Sequence, residues 1–188
     1  MNKKEILRYM RANSNTDNEQ LLALIDGAIA EAEAVIQPKS IWRIFDCEVT
    51  ENALLIGDVK FESRRLAENL RGCRRVAVLG ATLGTQGDGL LRKYSGESAK
   101  LMTMQAVLTA KIEELCDGVQ ADIERECGCK TRQRYSPGYY DLDIKEQKTL
   151  FSLLDITKRC GITLTDSFQM IPTKSVTAFA GIEDNDEQ

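Results

Sequence analysis

The stretch Arg132-Gln-Arg134-Tyr-Ser-Pro137-Gly138-Tyr139-Tyr140 gathers side chains that suit an amino-acid-like ligand. Arg134 offers a planar guanidinium fork that matches a carboxylate. Tyr139 offers a ring face to a cation or a base and a hydroxyl to a polar group. Pro137 keeps Ser136 extended, and Gly138 can take a backbone conformation that other residues avoid. An extended segment of this kind exposes N–H and C=O groups to a molecule lying alongside it. From chemistry alone, the same residues would serve equally to close a surface loop.

Two other groupings invite chemistry and carry less of it. Gly80-Ala-Thr-Leu-Gly84-Thr-Gln-Gly87 follows an apolar run, Arg75–Leu79, and reads as a glycine-rich turn opened by Gly80. Its spacing is G-x-x-x-G-x-x-G and not the G-x-G-x-x-G of a dinucleotide fold, so close backbone packing is the simpler reading. Cys127-Gly-Cys129 is the one close cysteine pair, and it lacks the paired C-x-x-C spacing of a zinc site. No metal site is expected. The six cysteines read as free thiols of a reducing compartment.

The chain has 188 residues and no histidine. That removes Ser-His and Cys-His nucleophile pairs and any imidazole ligand to zinc, cobalt or haem iron. A formal charge of −4, with only short interrupted basic clusters, argues against nucleic acid. No apolar run approaches the roughly 18–20 residues that span a bilayer, and no signal peptide opens the chain. A cytoplasmic protein without membrane contact is expected.

The elements that must position the arginine–tyrosine stretch can be outlined from periodicity. Residues 2–12 and 17–36 read as two helices, the second starting at Asp17 and stopped by Pro38. Residues 40–50 read as a strand with 53–57 as its hairpin partner. Ser63 caps a short helix that ends at Gly72. Leu101, Met104, Leu108, Ile112, Leu115, Val119 and Ile123 form one stripe of a long helix over 98–126, closed by Gly128. After an irregular stretch, 144–160 reads as one helix closed by Gly161. Residues 162–165 and 175–182 are β segments, and 183–188 form an acidic, solvated tail.

Several linked motifs resemble the activation domain of cobalamin-dependent methionine synthase. Arg134-Tyr-Ser-Pro-Gly138-Tyr139 is similar to its R-x-x-x-G-Y-P motif. Residues 150–155, Gly161-Ile-Thr-Leu-Thr-Asp-Ser-Phe-Gln-Met170 and Pro172-Thr-Lys-Ser-Val-Thr177 resemble its continuing helix, its G-x-x-L-T-E-S-x-x-M segment and its P-x-x-S-V-S strand. The likeness is clear over about 100–182. One departure is Tyr140, which stands where the family has proline.

The resemblance implies that Arg134, Tyr135, Ser136, Gly138 and Tyr139 hold S-adenosylmethionine, together with a glutamate on the long helix, taken as Glu113 with Glu114 as its rival. It also implies that Met170, Pro172, Lys174 and Ser175 form a loop that docks onto a partner. The implied activity is reductive reactivation: S-adenosylmethionine methylates cobalamin on a separate methionine synthase subunit, with flavodoxin or ferredoxin as one-electron donor, in support of methionine biosynthesis. Such a reactivation subunit of a methyltransferase would be free-standing and active only with its partner. The alternative is a regulatory S-adenosylmethionine-binding protein without cobalamin chemistry. The expected fold is α+β: a mixed or antiparallel sheet against the long helix, with 1–38 as a helical extension, 39–182 as the activation-like domain and 183–188 as the tail.

Overall fold

In a computed structural model that describes residues 2–183, seven α-helices and nine strands build an α+β fold. In chain order they are α1 (Lys3–Tyr9), α2 (Glu19–Val35), β1 (Lys39–Asp46), β2 (Glu48–Val49), β3 (Ala53–Ile56), β4 (Val59–Glu62), α3 (Arg64–Asn69), β5 (Arg75–Thr82), α4 (Thr85–Lys93), α5 (Ser98–Cys127), β6 (Lys130–Thr131), α6 (Gln147–Leu154), α7 (Ile156–Cys160), β7 (Thr163–Leu164), β8 (Met170–Ile171) and β9 (Ser175–Glu183), with a 3₁₀ turn at Ile144–Glu146 before α6. The central sheet is antiparallel, in the order β1-β5-β9-β6.

The two inner strands are buried on both faces, so their apolar residues alternate between two cores. Ala77, Leu79, Ala178 and Ala180 meet Val119 and Ile123 of α5 on one face. Val76, Val78 and Phe179 turn to the other, where α3, α6, α7 and the β2-β3-β4 sheet cover them. The far half of α5 packs on a helical layer: Ile6, Leu7, Ile25, Ala28 and Ala32 share one core with Met104, Leu108 and Ile112. The N-terminal helices therefore bury their apolar stripes against the same helix that backs the sheet.

Several boundaries differ from those read in the sequence, each for a physical reason. The residues of 40–50 divide into β1 and β2, and β1 pairs with β5 while the 53–57 run pairs with β2 and with β4, a strand that carries too few apolar residues to announce itself. Helix α2 is capped by Asn18, whose side chain accepts from Leu21 N, so it starts after Asp17. Gly80 lies inside β5 opposite Ile41 and Thr177, and is not in a turn; a Cβ there would meet Ile156 at 3.2 Å. The turn falls instead at Gly84, with φ +82°, and leads into α4. The 144–160 helix breaks at Asp155, which takes φ 51° and separates α6 from α7. Ser63 caps α3, which ends at Asn69 rather than Gly72. None of the six cysteines, all among the described residues, forms a disulfide. Of the acidic tail, residues 184–188 lie outside the described residues. No described helix is long and apolar enough to cross a membrane.

Candidate functional site

Positions 113, 117, 120 and 124 fall at spacings of four, three and four, which puts them on one face of α5. The chain leaves α5 at Gly128, in the left-handed conformation, and returns antiparallel to β9. Tyr135 extends that pairing by exchanging both backbone hydrogen bonds with Phe179. The returning segment is thereby laid along the polar face of α5, and the two are stitched together. Glu124 accepts from Thr131 N and Thr131 Oγ1 and pairs with Lys130, which holds its carboxyl at about 2, well below the usual range. Gln120 Nε2 donates to Thr131 Oγ1 at 2.7 Å and to Arg132 O at 2.9 Å.

Arg134 sits at the centre of this seam. Its Nη1 donates to Gln120 Oε1 at 2.8 Å and meets Asp117 Oδ1 at 2.7 Å, while Nη2 donates to Glu113 Oε2 at 2.9 Å. Burial alone would lower the Arg134 pKa, but its bonds to Asp117 and Glu113 outweigh that and raise it. A guanidinium has five N–H groups. Three are used here, and among the described residues Nε–H and the second Nη2–H have no partner. Nε–H and one N–H of Nη2 are thereby left to donate to the carboxylate of a ligand. Cys116, behind the seam, is pushed up to about 12 by burial, so it stays an uncharged thiol.

In front of Arg134 opens a cleft of about 1090 Å³, the size of a site for a small molecule or cofactor. Glu113, Asp117 and Gln120 form one wall and Gln133–Tyr140 another. Arg65, Glu68 and Asn69 of α3 close one side, and Met170 with Ser175–Thr177 close the other. The loop 136–142 is fixed at its base: Gly138 N donates to Leu142 O, Leu142 is buried, and Gly138 takes φ +89°, which disfavours any side chain. At the rim Tyr139 is 64% and Tyr140 85% exposed, and the Tyr140 ring stacks with that of Tyr135 at 6.2 Å.

Residues 130–186 match the model of the family described as "Vitamin B12 dependent methionine synthase, activation domain". That segment contains Arg134, the tyrosine loop and β9, while the cleft residues of α3 and α5 lie outside it. The fold of the whole chain also has a solved counterpart. The crystal structure of the MetH reactivation domain bound to AdoHcy is similar to it with a TM-score of 0.70 at 14% identity, covering 96% of this chain and 70% of that one. No curated protein sequence matches the chain.

Within the matched segment, Arg134, Tyr135, Ser136 and Tyr139 line the cleft, and Gly138 shapes the loop from beneath. On α5, Glu113 lines the cleft, whereas Glu114 pairs with Lys111 outside it. The Met170–Ser175 loop joins β8 to β9. Met170 and Ser175 border the cleft, while Pro172 is buried and Ser175 donates to Pro172 O from within the loop. Lys174 Nζ donates to Thr109 Oγ1 of α5, and burial lowers its pKa. Sequence reasoning did not single out Asp117, Gln120, Arg65, Glu68 or Asn69. For the first two the signal was available, since they follow Glu113 by four and seven on the same helix. The α3 residues reach the cleft through tertiary packing alone.

Proposed function

We propose that this cleft binds S-adenosylmethionine and presents it for reductive reactivation of a cobalamin-dependent methionine synthase. The supporting observation is Arg134, half-buried in the cleft and clamped by Glu113, Asp117 and Gln120, with two N–H groups left for a ligand. The ligand fits what the residues offer. Its carboxylate suits the remaining N–H groups of Arg134, its ammonium and sulfonium suit the two carboxylates, and its base suits the tyrosine rim. The solved relative with the same fold holds AdoHcy, the demethylated form of that ligand. S-adenosylmethionine supplies an electrophilic methyl group. The chain's own residues orient it and exclude side reactions.

The methyl acceptor in this reading is cobalamin carried by a synthase subunit in the cytoplasm and reduced by flavodoxin or ferredoxin. Met170 and Lys174 belong to the docking edge, and Pro172 and Ser175 hold that loop from inside. Calorimetric titration tests the ligand. Arg134→Ala should weaken S-adenosylmethionine binding by about 1.5–3 kcal/mol, the range for a hydrogen bond to a charged group. Arg134→Lys should rescue only part of it, because an ammonium cannot form the bidentate fork. Unchanged affinity in a folded Arg134→Ala protein would remove the assignment.

A further inference from the structure

The charges lining the cleft are Arg65, Glu68, Glu113, Asp117 and Arg134, two cations against three anions. Arg65 and Glu68 are already matched, since Arg65 Nη1 meets Glu68 Oε2 at 3.1 Å and Arg64 adds a second partner to the same carboxylate at 3.0 Å. The unmatched negative charge therefore lies at the Arg134 seam, where one guanidinium faces two carboxylates. One carboxylate would suffice to neutralise and orient Arg134, and Gln120 already fixes its plane. Glu113 is the more enclosed of the two, with its side chain 41% exposed, and Asp117 stands 71% exposed on the cleft wall beside Nη1 of the arginine. A carboxylate held in place beside a cleft and left partly solvated keeps a field that a second cation can use.

Resting on the reading of the cleft as an S-adenosylmethionine site, we infer that Asp117 determines specificity by favouring the sulfonium form of the ligand over its thioether product. The two molecules share a carboxylate, an ammonium, a ribose and a base. They differ by one methyl group and one positive charge at sulfur. A residue that merely holds Arg134 in place acts on the shared carboxylate and affects both molecules alike. A residue that supplies uncompensated negative charge to the cleft acts on the difference between them. With Asp117 present, the charged donor is retained and the neutral product is released, which is the discrimination a methyl-donor site needs for turnover.

The ratio of two affinities separates these roles. S-adenosylmethionine and S-adenosylhomocysteine are titrated by calorimetry into wild type, Asp117→Asn and Asp117→Glu at one ionic strength. Wild type should prefer the sulfonium compound. Asp117→Asn should lower that preference by about three- to tenfold, as expected for one partly screened charge, and Asp117→Glu should retain most of it. Equal weakening of both compounds, or an unmoved ratio, would make Asp117 a structural partner of Arg134 and overturn the inference while leaving the ligand assignment intact. If wild type bound neither compound, the ligand assignment would fall and this inference with it.

Discussion

Tyr140 holds φ at 51° and points an exposed ring at Tyr135. A non-glycine residue in the left-handed region costs about 1–2 kcal/mol, and an aromatic pair returns about 0.5–1.5 kcal/mol of it. Proline, which the resembling motif has at this place, is locked near φ −65° and cannot adopt this backbone. The loop after Tyr139 therefore follows a path of its own in this chain. Tyr140→Pro should destabilise the protein by about 1–2 kcal/mol, seen as a fall in Tm of roughly 2–8 °C. Tyr140→Gly accepts the native φ and should move Tm less; if proline were the better tolerated of the two, the backbone at 140 would not be set as described. Some of this scale was legible in advance: Arg134 and Tyr139 by their chemistry, Gly138 by its need for a positive φ. Whether Glu113 or Glu114 faces the cleft was not, because adjacent helical residues point about 100° apart and only packing selects between them.

At the scale of elements, one carboxylate links the motif loop to the opposite wall of the cleft. Asp141 Oδ1 accepts from Ser63 Oγ, and Oδ2 accepts from Arg64 N at 2.8 Å and Arg65 N at 3.3 Å, so it supplements the Ser63 cap at the start of α3. The Ser63 hydrogen bond, followed by the two backbone donors, holds its pKa below the ordinary 3.8. A depressed carboxylate pKa adds stability above the unfolded value and loses it as pH falls through the folded one. Asp141→Asn should therefore be less stable than wild type at neutral pH by about 1 kcal/mol, with the gap closing below about pH 3.8. Urea melts across pH 2.5–7 give the comparison, and a gap that persists at the acid end would mean the charge is not what matters. Elements with strong periodicity, α5 and the alternating β5 and β9, could be read from the sequence because burial dictated each position. The pairing of β1 with β5 could not, since pairing partners are fixed by tertiary packing that a local hairpin pattern does not contain. The break at Asp155 was equally hidden: α6 and α7 each carry apolar faces in helical period, and only the left-handed residue between them separates the two.

At the scale of the whole molecule, the partition of labour follows from what 188 residues do and do not contain. Both inner strands of the sheet are buried on both faces and α5 is buried along most of its length, so the interior is committed to packing. Functional groups gather in one open cleft. The absence of histidine means that the chain offers no imidazole to cobalt, and the cleft residues supply carboxylate, guanidinium and phenol instead. These features suit a module that positions a methyl donor for a corrinoid held elsewhere. The purified chain alone should neither turn over homocysteine nor retain stoichiometric cobalamin through gel filtration. Mixed with a cobalamin-loaded synthase subunit, a one-electron donor and S-adenosylmethionine, it should cause the cob(II)alamin absorbance to decay and the methylcobalamin spectrum to grow, and omission of any one component should stop both changes. Lys174→Glu should slow that conversion without altering S-adenosylmethionine affinity, because it reverses a charge on the proposed docking loop at a residue that does not line the cleft. Persistence of cob(II)alamin with all components present would favour a regulatory binder of S-adenosylmethionine, and corrinoid retained by the chain alone would place the cofactor in this protein instead of its partner.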